Sequence, residues 1–222
     1  MKGVIVFDVN ETLLDLQALD PIFRRVFGDA AVRQEWFGLV VQSALVATIT
    51  DAYIDFGTVG GAALDVTASR RGISLSDEDR AEILGGMLAL PAHPEVPESL
   101  ERLRDAGLRL ATLTNSTARV AEAQLLNAGL RGFFERVLSV EAVRHFKPAA
   151  ETYHMASREL GVETGDILLV AAHDWDIAGA LRAGCAAAFI ARPGMILGPL
   201  GERPDIVGQD LREVADQILG GA

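Results

Sequence analysis

The chain has a single cysteine, Cys185, so no disulfide can form within it. That cysteine lies in a run of small apolar residues, 183–188, which favours a thiol in the core over a nucleophile. Basic residues are also scarce, since 20 Lys and Arg face 31 Asp and Glu and leave a formal net charge of −11. Nucleic-acid binding needs a basic stripe that neutralises phosphates, so this balance argues against a nucleic-acid partner.

The sequence also lacks a hydrophobic run of the length that a membrane span needs. Its first residues lead directly into a short apolar run, without the basic start, apolar stretch and cleavage site of a secretory signal. We therefore expect a cytoplasmic protein with no membrane partner. His93 and His145 have no partner at metal-ligand spacing, so we expect both at the surface.

What the 222 residues do contain is enough apolar material for a sizeable core, because half of them are hydrophobic. From residue 98 onward, amphipathic stretches that end at glycines alternate with short apolar runs. The stretches cover residues 98–106, 117–128, 151–160 and 177–183, and the runs cover residues 108–113, 137–140, 167–171 and 187–190. This alternation of helices and strands predicts an α/β fold with a Rossmann-like, doubly wound parallel sheet.

An earlier part of the chain, residues 15–90, differs because its apolar residues recur at helical spacing and strand-like runs are missing. Three prolines then fall within seven residues, which is too dense for a helix interior and indicates a hinge or linker: Pro91, Pro94 and Pro97. The pattern predicts an α/β core of residues 1–14 and 92–222 with an inserted helical cap domain of residues 15–91.

The first apolar run, residues 4–7 (VIVF), is long enough for one buried strand and too short for a helix. Asp8 follows it, where the ligand crevice of an open parallel sheet lies, beyond the carboxyl ends of the strands. A carboxylate there is able to attack carbon or phosphorus, accept a proton or bind a metal ion. Alternatively, Asp8 only caps the following turn with a side-chain oxygen, and this stretch alone leaves both interpretations open.

Polar residues occur at four strand ends or loops that this topology brings to one crevice. They are Asp8 with Thr12, Thr114 with Asn115, Lys147, and the turn 173–176. Singly, each has a simpler explanation, because threonines cap helices and a lysine before a proline is often solvated in a loop. Convergence of all four is harder to explain by chance and indicates a catalytic site.

The segments FDVNETLLDL, TLTNST, FKP and AAHDWDIAGA, in this order and spacing, resemble the haloacid dehalogenase superfamily. Within it the chain looks most like the L-2-haloacid dehalogenases, which carry a helical cap, and the resemblance covers essentially the whole length. Most members of the superfamily are Mg²⁺-dependent phosphatases, so the subfamily has to be argued from individual residues.

Two positions distinguish the chain from those phosphatases. Asn10 stands where they have the Asp that protonates the leaving oxygen, and an amide is a poor acid, whereas halide leaves without a proton. Ala172, four residues before Asp176, stands where they have an Asp that helps to hold Mg²⁺. Asp174 is an alternative ligand for that ion, so metal binding is not excluded, but both departures disfavour phosphatase activity.

The resemblance implies a dehalogenation in two steps. Asp8 attacks the halogen-bearing carbon, expels halide and leaves an ester on its own side chain. Water activated by Asp176 then hydrolyses that ester. Lys147 keeps Asp8 ionised, because a cation within about 4–6 Å lowers the pKa of a carboxylate by roughly one to three units.

Further roles follow from the same resemblance. Thr12, Thr114 and Asn115 are implied to donate hydrogen bonds to the carboxylates of the nucleophile and the substrate. Tyr153 matches a tyrosine that supports Lys147, and a tyrosine at the edge of the core is the alternative. The residues implied to bind substrate or halide are Val9, Trp36, Phe37, Thr114, Asn115, Tyr153, His173 and Trp175.

Three residues depart from the family pattern. Phe37 follows Trp36 where the family has the arginine that receives the halide, and Ala171 and His173 replace a serine and an asparagine. A protonated His173 supplies some of the positive charge that is missing at Phe37, and a simple hydrogen bond to a neighbouring loop is the alternative.

The leading hypothesis is a cofactor-free and metal-independent dehalogenase that hydrolyses small 2-haloacids through an ester on Asp8. A Mg²⁺-dependent phosphatase and a catalytically silent relative that binds a small carboxylate or a protein are the alternatives. The cap has more apolar residues than one helix face needs, Val40, Val41, Leu45 and Ile49 among them. They suit either packing inside the cap or a surface for self-association, and the resemblance favours a homodimer.

Overall fold

A computed structural model describes residues 3–221, and a parallel β-sheet forms its centre. The strands are β1 (Val4–Phe7), β2 (Arg109–Thr114), β3 (Arg136–Ser139), β4 (Ile167–Ala171), β5 (Ala186–Ile190) and β6 (Ile206–Gly208). Their order across the sheet is β3-β2-β1-β4-β5-β6, and every neighbouring pair is parallel. The predicted α/β class with a doubly wound sheet is confirmed.

Helices precede and follow the strands along the chain. They are α1 (Asp20–Phe27), α2 (Val32–Ile49), α3 (Phe56–Arg70), α4 (Asp77–Gly86), α5 (Val96–Asp105), α6 (Ala118–Asn127), α7 (Ala150–Leu160), α8 (Asp174–Arg182) and α9 (Leu211–Gly220). Short 3₁₀ helices lie at Leu16–Leu19, Met87–Ala89, Arg131–Phe133, Val140–Ala142 and Thr164–Asp166. In the part of the chain described, no helix is both long and apolar enough to cross a membrane.

The position of β1 in the middle of the sheet determines where the site lies. Phe7, at the end of β1, is level with Thr112 of β2 on one side and with Val170 of β4 on the other. All four residues of β1 are buried, as expected for a strand covered on both faces. Because the strands are parallel, the segments that follow β1, β2 and β4 meet at one edge of the sheet.

Helices α1 to α4, here called the helical insertion, lie between β1 and α5 as the sequence predicts. Its centre is aromatic: the Trp36 ring lies 5.4 Å from that of Phe23, and its indole N–H donates to the carbonyl of Gly60 at 2.9 Å. On α2, Val40 is buried, whereas Ile49 is 83% exposed. The division into a core of residues 1–14 and 92–222 and a cap of residues 15–91 stays a prediction.

Several element boundaries differ from the sequence prediction. Helix α8 begins at Asp174 rather than at residue 177, because acidic residues are favourable in the first turn of a helix. Pro97 belongs to the start of α5 and not to a linker, since proline is well tolerated in the first helical turn. Strand β6 and helix α9 were not anticipated from the sequence.

Candidate active site

Asp8 is the first residue beyond β1, and its side chain is only 6% exposed. Its backbone N–H donates to the carbonyl of Val170 at 3.0 Å, which holds its backbone to β4. Its two carboxylate oxygens accept hydrogen bonds from three side chains, those of Thr12, Lys147 and His173. The alternative in which Asp8 only caps a turn is therefore wrong.

Thr12 lies in the tight turn that follows β1, in which the N–H of Leu13 donates to the carbonyl of Val9 at 2.9 Å. Its hydroxyl accepts a hydrogen bond from the N–H of Ala172 at 2.9 Å and donates to Asp8 Oδ2 at 2.7 Å. Since a hydroxyl has one proton, the bond from Ala172 directs that proton to Asp8. The side chain of Val9 is buried in the core.

Lys147 lies between two carboxylates. Its Nζ donates to Asp8 Oδ1 at 2.8 Å, to Asp176 Oδ2 at 2.6 Å and to the carbonyl of Leu113 at 3.0 Å. Its side chain is 0% exposed, so the alternative of a solvated loop lysine is wrong. Burial alone would lower the pKa of Lys147, but the charges of Asp176 and Asp8 outweigh it and raise the pKa.

Asp176, in the first turn of α8, has both oxygens in hydrogen bonds. Oδ2 accepts from Lys147, and Oδ1 accepts from the hydroxyl of Tyr153 at 2.6 Å. Burial is the main cause that raises the pKa of Asp176, and the charge of Asp8 adds to it. Tyr153 was expected to support Lys147 but contacts Asp176 instead, because α7 packs against the start of α8.

The environment of Asp8 favours its ionised form. Burial is the largest single influence and would raise the pKa of Asp8. Lys147 and His173 together outweigh burial, through charge and hydrogen bonding, and hold the pKa of Asp8 well below its usual value. A carboxylate at this position is therefore ionised and available as a nucleophile at neutral pH.

His173 lies between two carboxylates rather than against a loop. Its Nδ1 is 3.0 Å from Asp8 Oδ2, and its Nε2 is 3.0 Å from Glu11 Oε2. Burial tends to lower the pKa of His173, but hydrogen bonds and charges from Asp8 and Glu11 raise it to about 10. The ring is therefore a cation at neutral pH and lies against the carboxylate of Asp8.

Glu11 was not identified from the sequence. It adopts a left-handed backbone conformation with φ 61°, which is uncommon for a residue other than glycine. Its Oε1 lies 3.5 Å from Nη1 of Arg33, whose Nε donates to Asp20 at 2.5 Å. Only its position directly after Asn10, in the turn beyond Asp8, could have drawn attention to it.

Aromatic rings enclose His173. Its ring stacks on Trp175 at 4.8 Å between centroids and lies 6.2 Å from the ring of Phe37. Lys147 Nζ lies 5.8 Å from the centre of the Trp175 ring. Trp36 is one ring further out, 6.1 Å from Phe37, and its indole N–H is used within the helical insertion.

Thr114 and Asn115 make other bonds than those implied by the resemblance. The hydroxyl of Thr114 accepts from the N–H of Ser116 at 3.2 Å, and Asn115 Oδ1 accepts from the N–H of Lys147 at 2.9 Å. Within residues 3–221, neither side chain bonds Asp8. Their expected bonds to Asp8 are therefore wrong, because Asn115 binds the backbone of Lys147 and Thr114 binds the backbone of its own turn. Their expected bonds to the carboxylate of a substrate stay a prediction.

An apolar cavity of about 150 Å³ lies between the helical insertion and α6. Phe37, Phe56 and Val120 contribute to its lining, together with Ser116 and Gln124. The Asn10 amide lies beside it, donating to Ser116 Oγ at 3.4 Å and accepting from Gln124 Nε2 at 3.1 Å. The hydrogen bonds of Ser116 and Gln124 to Asn10 were not apparent from the sequence, where Ser116 follows a predicted strand and Gln124 lies within a predicted helix.

The remaining candidate residues lie outside the cluster around Asp8. His93 is partly exposed, with Nε2 3.3 Å from the carbonyl of Glu11. His145 is partly exposed, and Cys185 is buried as predicted. Asp174 is exposed. In residues 3–221, no group of three or more His, Cys, Asp or Glu side chains is arranged to hold a metal ion.

Comparison with known proteins gives a consistent result. A family profile described as haloacid dehalogenase-like hydrolase matches residues 2–184. The chain is 30% identical over 218 residues to an (S)-2-haloacid dehalogenase of Pseudomonas sp. (strain YL), covering 97% of this chain and 94% of that protein. It is 28% identical over 203 residues to haloacetate dehalogenase H-2 of Moraxella sp. (strain B), covering 90% of this chain and 91% of that protein.

Among solved structures, one similar chain is the L-2-haloacid dehalogenase from Xanthobacter autotrophicus with chloropropionic acid covalently bound. It superposes with a TM-score of 0.92 at 26% identity, and the match covers 100% of both chains. Together with the profile match, this shows that the chain is a hydrolase and belongs to the haloacid dehalogenase-like family.

Proposed function

We propose that this chain hydrolyses the carbon–halogen bond of small 2-haloacids through an ester on Asp8, without a metal ion. The observation that carries this proposal is the pair of contacts that Lys147 Nζ makes, 2.8 Å to Asp8 and 2.6 Å to Asp176. An ionised, buried carboxylate suits attack on a carbon atom of a small substrate. The apolar cavity is lined by Phe37, whose ring lies 6.2 Å from that of His173, the partner of Asp8.

In the first step, a carboxylate oxygen of Asp8 attacks the halogen-bearing carbon. The carbon–halogen bond breaks, halide leaves with both electrons, and the substrate becomes an ester of Asp8. No proton is needed, which agrees with the position of Asn10, whose amide is hydrogen-bonded to Ser116 and Gln124 and away from Asp8.

In the second step, water attacks the carbonyl carbon of the ester and restores Asp8. Asp176 is the base that the family resemblance assigns to this water. Its raised pKa suits a proton acceptor, because the ideal base has a pKa near the working pH. Tyr153 and Lys147 hold its two oxygens in place for that purpose.

Metal independence is supported by the small number of oxygen ligands beside Asp8. Mg²⁺ needs about six oxygen ligands at roughly 2.0–2.1 Å. Ala172, which lies against Thr12, has no side-chain oxygen to offer. The alternative ligand Asp174 is exposed to solvent.

The relatives named above as (S)-2-haloacid and haloacetate dehalogenases support the substrate class proposed here. The cavity beside Phe37, about 150 Å³, is also large enough for a short 2-haloacid.

A cytoplasmic location remains a prediction. A homodimer also remains a prediction, and sedimentation of the purified protein tests it, with Val46 and Ile49 of α2 as the exposed apolar residues to substitute.

The proposed function is tested by incubating the protein with L-2-chloropropionate, fluoroacetate and p-nitrophenyl phosphate, each with and without EDTA. We expect halide release that EDTA leaves unchanged, and its loss in Asp8→Asn. Asp174→Asn is the matched control, because this carboxylate is exposed and lies in the same helical turn as Asp176. Phosphate release that depends on a divalent ion would establish the phosphatase alternative, and silence on all three substrates would favour the non-catalytic one.

A further inference from the structure

We propose that His173 is a catalytic residue that holds Oδ2 of Asp8 as the carbonyl oxygen of the ester, so that Oδ1 is the atom that becomes alkylated. This inference rests on the proposed function and assigns separate tasks to the two carboxylate oxygens. In the second step, Thr12 and His173 stabilise the negative charge that develops on Oδ2.

The protonation of His173 follows from its two partners. Nδ1 faces Asp8 and Nε2 faces Glu11, each at 3.0 Å. Ionised carboxylates only accept hydrogen bonds, so both ring nitrogens must donate, and the ring carries a positive charge. The other nearby charges are Lys147 on Asp8 and Arg33 on Glu11, while the faces of the ring meet Phe37 and Trp175.

The hydrogen bonds of Asp8 distinguish its two oxygens. Oδ2 accepts from Thr12 at 2.7 Å and from His173 at 3.0 Å, which uses both of its lone pairs. Oδ1 accepts from Lys147 at 2.8 Å, and within residues 3–221 no other donor reaches it. One lone pair of Oδ1 therefore remains available to attack the substrate carbon.

During ester hydrolysis, negative charge develops on Oδ2, where Thr12 and His173 already donate hydrogen bonds. As water attacks Cγ and gives its proton to the base, the π electrons of the Cγ=Oδ2 bond move onto Oδ2. Collapse re-forms that bond and breaks Cγ–Oδ1, and the 2-hydroxy acid leaves with Oδ1 and the proton that the base had taken. The water oxygen takes the place of Oδ1 on Cγ, and release of its remaining proton to solvent restores the carboxylate of Asp8. Preorganised donors of this kind contribute strongly, since removal of one typically slows the reaction by about 10²–10³-fold.

Glu11 is a positioning residue in this arrangement. It fixes the Nε2 side of the ring, and Arg33 of α2 holds Glu11 from the other side at 3.5 Å. Arg33 is in turn bound to Asp20 of α1. The orientation of the imidazolium ring therefore depends on the helical insertion as well as on the sheet.

Rapid-quench kinetics with L-2-chloropropionate tests the inference by following halide and the mass of the peptide that contains Asp8. In His173→Asn we expect a burst of about one halide per site, at most a few-fold slower than in the wild type. The ester should then decay about 10²-fold more slowly and accumulate on Asp8. His173→Gln is a second variant at the position, and His154→Asn, at an exposed site of α7, is the matched control that leaves both phases unchanged.

The pH profile of ester decay separates catalysis from a structural role. In the ester, Asp8 has lost its charge, so the pKa of His173 lies below its value in the free protein. We expect the wild-type decay rate to fall at alkaline pH as His173 loses its proton, with no such fall in His173→Asn. Glu11→Gln should shift the fall to lower pH, because it removes the remaining carboxylate charge next to the ring.

Three results would overturn the inference: decay of the ester at the wild-type rate in His173→Asn, decay that accelerates as His173 deprotonates, or a crystal structure with the ester on Oδ2. These outcomes differ from failure of the proposed function, in which the wild-type protein itself gives neither halide nor an adduct on Asp8 and both proposals fall.

Discussion

A buried hydrogen bond of 2.6 Å joins the hydroxyl of Tyr153 to Oδ1 of Asp176, and neither residue is more than 1% exposed. The other oxygen of Asp176, Oδ2, accepts a hydrogen bond from Lys147, which also binds Asp8. The hydroxyl of Tyr153 is therefore the side-chain donor to Oδ1. The pair therefore connects α7 to the first turn of α8.

Tyr153→Phe should destabilise the fold by about 1–3 kcal/mol, because a buried charged acceptor loses its donor. The matched control is Tyr53→Phe, since the hydroxyl of Tyr53 is buried with no hydrogen-bond partner among the described residues. We expect that control to be neutral or slightly stabilising. Urea unfolding at pH 7 measures both, and an equal change in the two variants would contradict the assignment.

Lys147→Met should abolish halide release and lower the free energy of unfolding by about 3–5 kcal/mol at pH 7, because two buried carboxylates lose their cation. In this variant the pKa values of Asp8 and Asp176 rise, so acidification neutralises them in the folded state. The loss of stability should therefore shrink between pH 7 and pH 5. Denaturant unfolding at both pH values checks this, and a deficit independent of pH would show that the carboxylates are not its cause.

Because the pKa of His173 is raised from 6.5 to about 10, the free energy of unfolding should fall as the pH becomes alkaline. The stabilisation is fully present below pH 6.5, where both folded and unfolded states are protonated, and is lost as the pH rises through 10. Its size is several kcal/mol at most, since one pKa unit corresponds to about 1.4 kcal/mol.

Urea unfolding from pH 6 to pH 10 should therefore show a fall in the wild type that is much smaller in His173→Asn. His154→Asn, at an exposed site, should follow the wild-type curve. Parallel curves for wild type and His173→Asn would rule out the imidazolium described here.

Gly179 of α8 is needed for the close packing of α8 against Pro148 and Tyr153. A Cβ at Gly179 would lie 2.5 Å from Pro148 Cβ and 2.5 Å from the Tyr153 hydroxyl. Gly179→Ala should destabilise by about 1–3 kcal/mol through this overlap. In contrast, Gly38→Ala on α2, where a Cβ meets nothing within 4 Å, should stabilise by roughly 0.5–1 kcal/mol through helix propensity. Thermal unfolding of the two variants, with opposite signs expected, tests the contrast.

The sequence was sufficient for the sheet and for the groups around Asp8, because these depend on local patterns. A run such as residues 4–7 predicts a strand, and parallel strands place the residues that follow them at one edge. Lys147 was identified from its place in the loop before Pro148. Strand β6 was missed because it has three residues and too weak a pattern.

The hydrogen-bond partners of the site side chains were harder to predict than the position of these side chains at the edge of the sheet. Tyr153 was assigned to Lys147 from the family resemblance, whereas its bond to Asp176 depends on how α7 packs against α8. The contact of His173 with Glu11 depends on a left-handed backbone at Glu11, and no pattern in the sequence predicts that conformation for a glutamate. Thr114 and Asn115 were likewise placed near the site, but their bonds to the loops depend on the path of the backbone.

The central place of β1 also constrains when the protein can become reactive during its synthesis. Val6 pairs with Ala111 on one side and with Leu169 on the other, so the strand that carries Asp8 leaves the ribosome long before its neighbours exist. A nascent chain that stops short of residue 167 lacks both β4 and Asp176. Under the proposed function, incomplete translation products should therefore carry Asp8 in an unreactive form.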